Sequence, residues 1–201
     1  MFALPDFPID KSVKGIGMSD WSGYADPLVA KLDYQNTFYH CEPRLDICDP
    51  DPDLFGTLDF IISTDVFEHV PPPVERAFEN ARKLLKPNGL FVFSVPYKVD
   101  GKTEEHYPAL YDYEIVMQGN APVLVNHTRD GVEQRFTDLV FHGGDGATLE
   151  MRLFSQSGLL DHAASCGFSA TIYADAHSAC GMMWKGPESL TMALRPHAER
   201  M

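Results

Sequence analysis

The chain has 201 residues, 44% of them apolar and 22% charged, with a formal net charge of −13. That length allows one domain with a sizeable core, and the composition is ordinary for a soluble globular protein. The negative field opposes binding to phosphate backbones and anionic membranes, so neither nucleic acid nor a membrane is expected as a partner.

No run of about 18 or more apolar residues occurs, so no membrane-spanning helix is expected. The opening "MFALPDFPIDKSVKG" lacks the basic and apolar regions of a signal peptide. Cys41, Cys48, Cys166 and Cys180 form no C-x-x-C pair. Reduced thiols in the cytoplasm are the expectation, not a zinc or redox motif.

In chain order, Ser12–Met18 reads as a short strand ending in glycines. "YADPLVAKLD" reads as a short helix with Pro27 in its first turn, the position where a missing N–H costs least. "NTFYHC" is β-branched and aromatic, as in a second strand. "RLDICD" is a brief third candidate, and "DPDPDLFG" is a turn-rich loop. "LDFIIST" is a near-continuous apolar run, which fits a strand buried on both faces of a parallel sheet.

The next helix is the clearest element. Val74, Ala77, Phe78, Ala81, Leu84 and Leu85 recur at helical spacing and form one apolar stripe. Pro73 suits its first turn, and "KPNG" ends it. "LFVFSVP" is another buried strand. This alternation of strands and helices points to an α/β domain with a mainly parallel sheet.

Residues 98–152 carry no long periodic run, yet a structureless loop of that length is rare in a compact domain. They are read as a folded insertion over the carboxyl edge of the sheet, within a single domain spanning 1–201. "FSQSGLLDHAASCGF" is a short helix closed by Gly167. "SATIYAD" and "SLTMALRP" are two final strands, joined by the long connection "HSACGMMWKGPE".

The stretch "LDFIISTDVFEHV…RKLLKPNGLFVFSVP" resembles the class I S-adenosylmethionine-dependent methyltransferases. The resemblance rests on an acid after the fourth strand, then Glu-His, a helix, a Lys-Pro-x-Gly turn and a fifth strand ending near Val-Pro. Asn88 stands where a glycine is usual. "FSQSGLLDHAASCGFSATIY" is similar to the closing helix, turn and sixth strand of the same superfamily. The resemblance implies a Rossmann-like sheet with a C-terminal antiparallel strand, S-adenosylmethionine as cofactor, and a small-molecule methyl acceptor such as a carbohydrate or secondary metabolite. A non-catalytic binding or scaffold domain with a degenerate cofactor loop is the alternative.

The family's glycine-rich loop has only a partial counterpart, "VKGIGMSDW". Gly15 and Gly17 would let backbone approach the cofactor, and Ser19 would help cap the following helix. "GIGMSD" can also be read as the second strand, with the first strand missing. His40 and Glu42 are both candidates for the ribose hydroxyls. Asp46 is the candidate for the adenine amino group. Asp65, with Val66 beside it, would close the fourth strand beneath the methionine part of the cofactor, where a charge can meet a cation instead of being buried unpaired.

Glu68 and His69 admit three readings. They can be structural residues of the strand-to-helix turn, or His69 can be a general base. Asp65-x-x-Glu68-His69 also resembles the acid-x-x-Glu-His metal motif of some methyltransferases, with His106 or His142 completing it. No fourth ligand is fixed by spacing, so no metal is assigned. His106, after the fifth strand, is a second candidate base. "FHGGDG" at 141–146 reads as a tight turn, since it lacks the lysine and helix of a phosphate loop. Met182, Met183 and Trp184 read as core or pocket wall. Oligomeric state is not legible.

Overall fold

The computed structural model describes residues 4–142, 148–173 and 189–197. Its apolar strand runs become one eight-stranded sheet, with six strands in a single path and two short ones branching from it. The strands of its parallel part are β1 (Asp10–Met18), β2 (Leu32–Thr37), β3 (Leu58–Thr64) and β4 (Leu85–Lys98). β1 pairs in parallel with both β2 and β3, and β3 pairs in parallel with β4.

α1 (Ser22–Lys31) joins β1 to β2, and Pro27 lies inside it instead of in its first turn. An interior proline costs about 3 kcal/mol. The helix is held regardless by Ala25 and Leu28, which pack with Leu32 and Tyr34 of β2. β2 starts directly at the helix end, so only Asn36 and Thr37 of "NTFYHC" belong to it. The third-strand candidate "RLDICD" forms no strand. The segment contributes only an isolated parallel bridge, Phe38 to Arg44. "LDFIIST" is therefore the third strand of the sheet, not the fourth, and it pairs directly with β1.

Gly15 and Gly17 lie within β1, paired on both sides. Residues two apart share a face of a strand. Gly15 is in register with Tyr34 on one side and Phe60 on the other. Those two rings stack across it, 5.9 Å between centroids and 1° from parallel. A Cβ at Gly15 would strike the Phe60 ring, and one at Gly17 would strike the Tyr34 hydroxyl and Asp20. The glycines therefore make room for the chain's own side chains.

α2 (Glu75–Leu84) buries Ala77, Phe78, Ala81 and Leu84 against the sheet. Glu75 in its first turn and Arg82 and Lys83 in its last match the helix dipole. "KPNG" does not separate helix from strand. It bulges within β4, where the register with β3 jumps between Leu85 and Leu90.

The described part of residues 98–152 carries six short strands. β5 (Glu104–Glu105) pairs with a later strand. β6 (Asp112–Gln118), β7 (Ala121–His127) and β8 (Glu133–Phe136) form a three-stranded antiparallel sheet, and β9 (Phe141–His142) pairs with β10 (Thr148–Leu149). Tyr107, Leu110, Leu124, Leu149 and Met151 make a small core of their own, apart from the main core of the sheet. β11 (Arg152–Ser155) then returns to pair with β4 and β5.

α3 (Gln156–Ser165) is capped by Ser155, whose hydroxyl accepts from the Gly158 N–H at 3.0 Å. It is closed by Gly167 at φ +81°. β12 (Phe168–Ile172) and β13 (Ser189–Pro196) follow, and β13 runs antiparallel to both β12 and β4. The sheet is thus mainly parallel with an antiparallel C-terminal strand. Met182, Met183, Trp184 and most of the connection around them lie outside the described residues. No helix among the described residues is long and apolar enough to cross a membrane.

Candidate active site

Chain connections leave β1 toward opposite sides, to β2 and then to β3. The crevice at their carboxyl ends is the topological switch point, where ligands bind in open α/β sheets. Ser19 and Asp65, the residues just after β1 and β3, both have left-handed φ, +59° and +54°. For a residue with a Cβ this conformation costs about 1–2 kcal/mol. We expect Ser19→Gly to raise stability by about 1 kcal/mol, read from the urea midpoint at unchanged slope. A lower midpoint would mean that the Ser19 side chain has a role the backbone does not reveal.

The crevice between these two ends is occupied by side chains. The Tyr24 hydroxyl lies 2.9 Å from Asp20 Oδ1 and 3.1 Å from Thr64 Oγ1, so it spans from the β1 end to the β3 end. The Tyr34 hydroxyl donates to Asp20 Oδ2. Asn36 holds the Asp20 backbone on both sides, at 2.9 and 2.8 Å. Burial pushes the Asp20 carboxyl up, opposed by the two tyrosine hydrogen bonds. Burial likewise pushes the Tyr24 phenol up to about 12.

The expected cofactor can be tested against these residues. At the glycines they do not fit it. Gly15 and Gly17 form no turn after the strand, and the space over them is taken by Phe60, Tyr34 and Asp20. The turn lies instead at 19–21, with Ser19 making a backbone hydrogen bond to Thr37 and no side-chain cap on α1. At the end of β3 they fit better. Asp65 is exposed, and its Oδ1 accepts from Ser189 at 3.0 Å and, more weakly, from Ser94 at 3.4 Å. Val66 is half-buried against the main core. His40 and Glu42 are exposed. His40 packs on the Tyr39 ring, and Glu42 accepts from the Arg44 N–H at 2.9 Å. Asp46 accepts from the Cys48 N–H at 2.9 Å.

A second constellation begins immediately after β3, in the short helical turn Phe67–His69. Phe67 anchors this turn among Phe78, Phe91 and Phe93, all fully buried. Glu68 is consequently drawn in to 0% exposure, and neither carboxyl oxygen has a hydrogen-bond partner. Burial pushes this carboxyl up to about 8; its own amide opposes the shift, while Asp65 and Glu150 add to it. The His69 Nδ1–H donates to the Leu149 carbonyl at 2.9 Å, since a carbonyl can only accept. Its Nε2 lies 3.6 Å from Glu68 Oε1. Burial is the main cause that lowers the pKa of His69, so the ring is favoured neutral.

His142 stands at the same carboxylate, Nδ1 3.6 Å from Glu68 Oε1, with its ring 4.7 Å from that of His69. Glu150 bridges two histidines, at 2.8 Å to His142 Nε2 and 2.8 Å to His106 Nε2. His106, Glu150 and His142 all come from residues 98–152, whose backbone meets the turn directly: the Met151 N–H donates to the Glu68 carbonyl at 2.8 Å. His106 also opens a cleft shared with Tyr107, Arg135 and Phe136. A larger cleft beside α2, lined by Cys48, Phe55, Arg76 and Lys83, contains none of these groups.

The structure therefore brings His69 and His106 into one network and leaves Asp65 outside it. The sequence offered no sign of Glu150. Its partner His106 is 44 positions away. His142, one of the two histidines offered to complete the Glu68–His69 motif, begins the segment read as a tight turn, of which residues 143–146 are outside the described residues.

Residues 13–127 match the family model described as a methyltransferase domain. A Mesorhizobium loti S-adenosylmethionine-dependent methyltransferase has a similar structure, with TM-score 0.54 and 14% identity, covering 94% of this chain and 93% of that one. A Clostridium acetobutylicum methyltransferase, also S-adenosylmethionine-dependent, gives TM-score 0.55 at 14% identity, covering 92% and 85%. The Burkholderia thailandensis 1,6-didemethyltoxoflavin-N1-methyltransferase, solved with 1,6-didemethyltoxoflavin and S-adenosylhomocysteine, gives 0.54 at 14%, covering 92% and 72%. No curated protein sequence matches. With the family model spanning more than half of its length, this chain belongs to the methyltransferase domain family, within the class I S-adenosylmethionine-dependent superfamily.

Proposed function

We propose that the protein transfers a methyl group from S-adenosylmethionine to a small-molecule acceptor held under residues 98–152. The observation that carries this reading is the His106–Glu150 pair at the mouth of a cleft walled by Tyr107, Arg135 and Phe136. The Glu150 carboxylate accepts from His106 Nε2–H and so orients the ring. Bound S-adenosylmethionine supplies an electrophilic methyl group. The chain's own residues would orient the acceptor, exclude water and remove a proton at His106 Nδ1. The similar Burkholderia thailandensis structure holds 1,6-didemethyltoxoflavin, in keeping with a small acceptor here. A carbohydrate or secondary metabolite is the class we favour, and the cytoplasm is the proposed location.

A second reading is favoured by one observation. The Tyr24–Thr64 contact closes the switch point, and the glycines are filled, as in a binding or scaffold domain that no longer takes the cofactor. Thermal melting separates the two. S-Adenosylmethionine or S-adenosylhomocysteine at 100 times its dissociation constant should stabilise the fold by about 2.7 kcal/mol, and NAD(H) should do nothing. A folded protein with no shift at millimolar ligand would leave the scaffold reading standing.

A further inference from the structure

We propose that Glu68, His69 and His142 form a binding site for one divalent transition-metal ion. The three offer one carboxylate oxygen and two imidazole nitrogens, all within 4.8 Å of one another. The two carboxylate–imidazole separations are both 3.6 Å. That is too long for a hydrogen bond. It is close to the edge of a tetrahedral site, about 3.4 Å when metal–ligand bonds are about 2.1 Å.

The proton positions argue in the same direction. His69 spends its Nδ1–H on the Leu149 carbonyl, so Nε2 presents a lone pair. His142 spends its Nε2–H on Glu150, so Nδ1 presents a lone pair. Both lone pairs face one oxygen of Glu68, a carboxyl with no hydrogen-bond partner and no exposure. Two ring nitrogens thus converge on one buried carboxyl oxygen, an arrangement that a cation stabilises by holding the carboxyl ionised. A backbone carbonyl and a carboxylate on the far nitrogens are the outer partners that orient metal-bound imidazoles. Glu150 belongs to that outer layer, and His106 lies one step beyond it.

Two imidazoles and a carboxylate suit zinc, manganese or iron and are a poor set for magnesium or calcium. Three protein ligands leave at least one position for water or a ligand oxygen, and His142 keeps 35% of its side chain exposed. Asp65 is no ligand, since its carboxylate is turned to Ser189 and Ser94. The site does not depend on the methyl-transfer reading.

The test uses the full chain without a histidine tag, stripped with chelator and then freed of it. Titration calorimetry with Zn²⁺ should show one equivalent bound. Co²⁺ should develop the visible absorption of a low-coordinate site, and Zn²⁺ should bleach it. His142→Ala and Glu68→Gln should each weaken Zn²⁺ binding at least 100-fold, while His127→Ala, at an exposed histidine remote from the turn, should leave it unchanged. Circular dichroism checks that each variant is folded. Should a variant not fold, the wild-type Co²⁺ spectrum still decides. No visible band and no heat with Zn²⁺ would overturn the site. Binding that survives in both variants would overturn it as well.

Discussion

Replacing Arg152 by Ala is expected to destabilise the protein by about 3–5 kcal/mol, the range for breaking a buried ion pair on one side. Arg152 is the largest fully buried side chain among the described residues. Its Nη1–H groups donate to the Phe67 carbonyl at 2.8 Å and the Val70 carbonyl at 2.6 Å, and its Nε–H donates to Glu105 at 2.6 Å. The truncation strands two carbonyls and a partly buried carboxylate at once, and opens a cavity beneath the turn that carries Glu68 and His69. Arg152→Lys should recover little, because one ammonium cannot reproduce the fork that grips three acceptors. Urea unfolding of both variants measures the loss. A cost below about 1 kcal/mol would mean that water replaces the guanidinium, and that the turn does not depend on it.

The second large effect concerns chemistry. His106→Ala should lower kcat for methyl transfer by about 10²–10⁴-fold if the acceptor must lose a proton in the step. The KM for S-adenosylmethionine should stay near wild type, because His106 lines the cleft proposed for the acceptor and not the β1–β3 crevice. Glu150→Gln should give a smaller loss, since it preserves shape but removes the charge that holds the imidazole. A neutral amine acceptor needs no base before transfer. A loss under tenfold in His106→Ala would therefore exclude base catalysis there and leave catalysis to proximity and orientation.

The parts of the fold that were legible are those whose environment is uniform along the chain. β3 and the part of β4 from Leu90 to Pro96 are covered on both faces, so their sequences are largely apolar. α2 has one buried face, so Val74 to Leu84 repeat with the helical period. The misplacements have local causes. Leu32 and Tyr34 alternate with exposed residues and begin β2 at once after α1, whereas the more β-prone "NTFYHC" runs off the sheet toward Pro43. β6 to β8 were not legible because β6 exposes most of its side chains and shows no apolar alternation. The Gly-x-Gly pattern identified a close approach correctly but not what approaches, which is the Tyr34–Phe60 stack. In the candidate site, Glu68 and His69 are adjacent and legible together, and His142 is one of the two histidines the sequence offers beside them. Glu150 and Arg152 are placed by the β9–β10 and β5–β11 pairings, and no short-range pattern encodes such pairings.

The two separate cores have a consequence for how the molecule opens. Tyr107, Leu110, Leu124, Leu149 and Met151 pack among themselves, while the sheet's core includes Phe67 but none of these five. Cooperative units in native-state hydrogen exchange follow such clusters. The amides of β6 to β8 can then exchange through a partial opening that leaves β3 and β4 protected. Glu68 and His69 sit on the side that stays folded, and His106, His142 and Glu150 on the side that leaves. Anything that bridges Glu68 and His142 works as a clasp between the two units, and slows exchange in the meander far more than in the sheet.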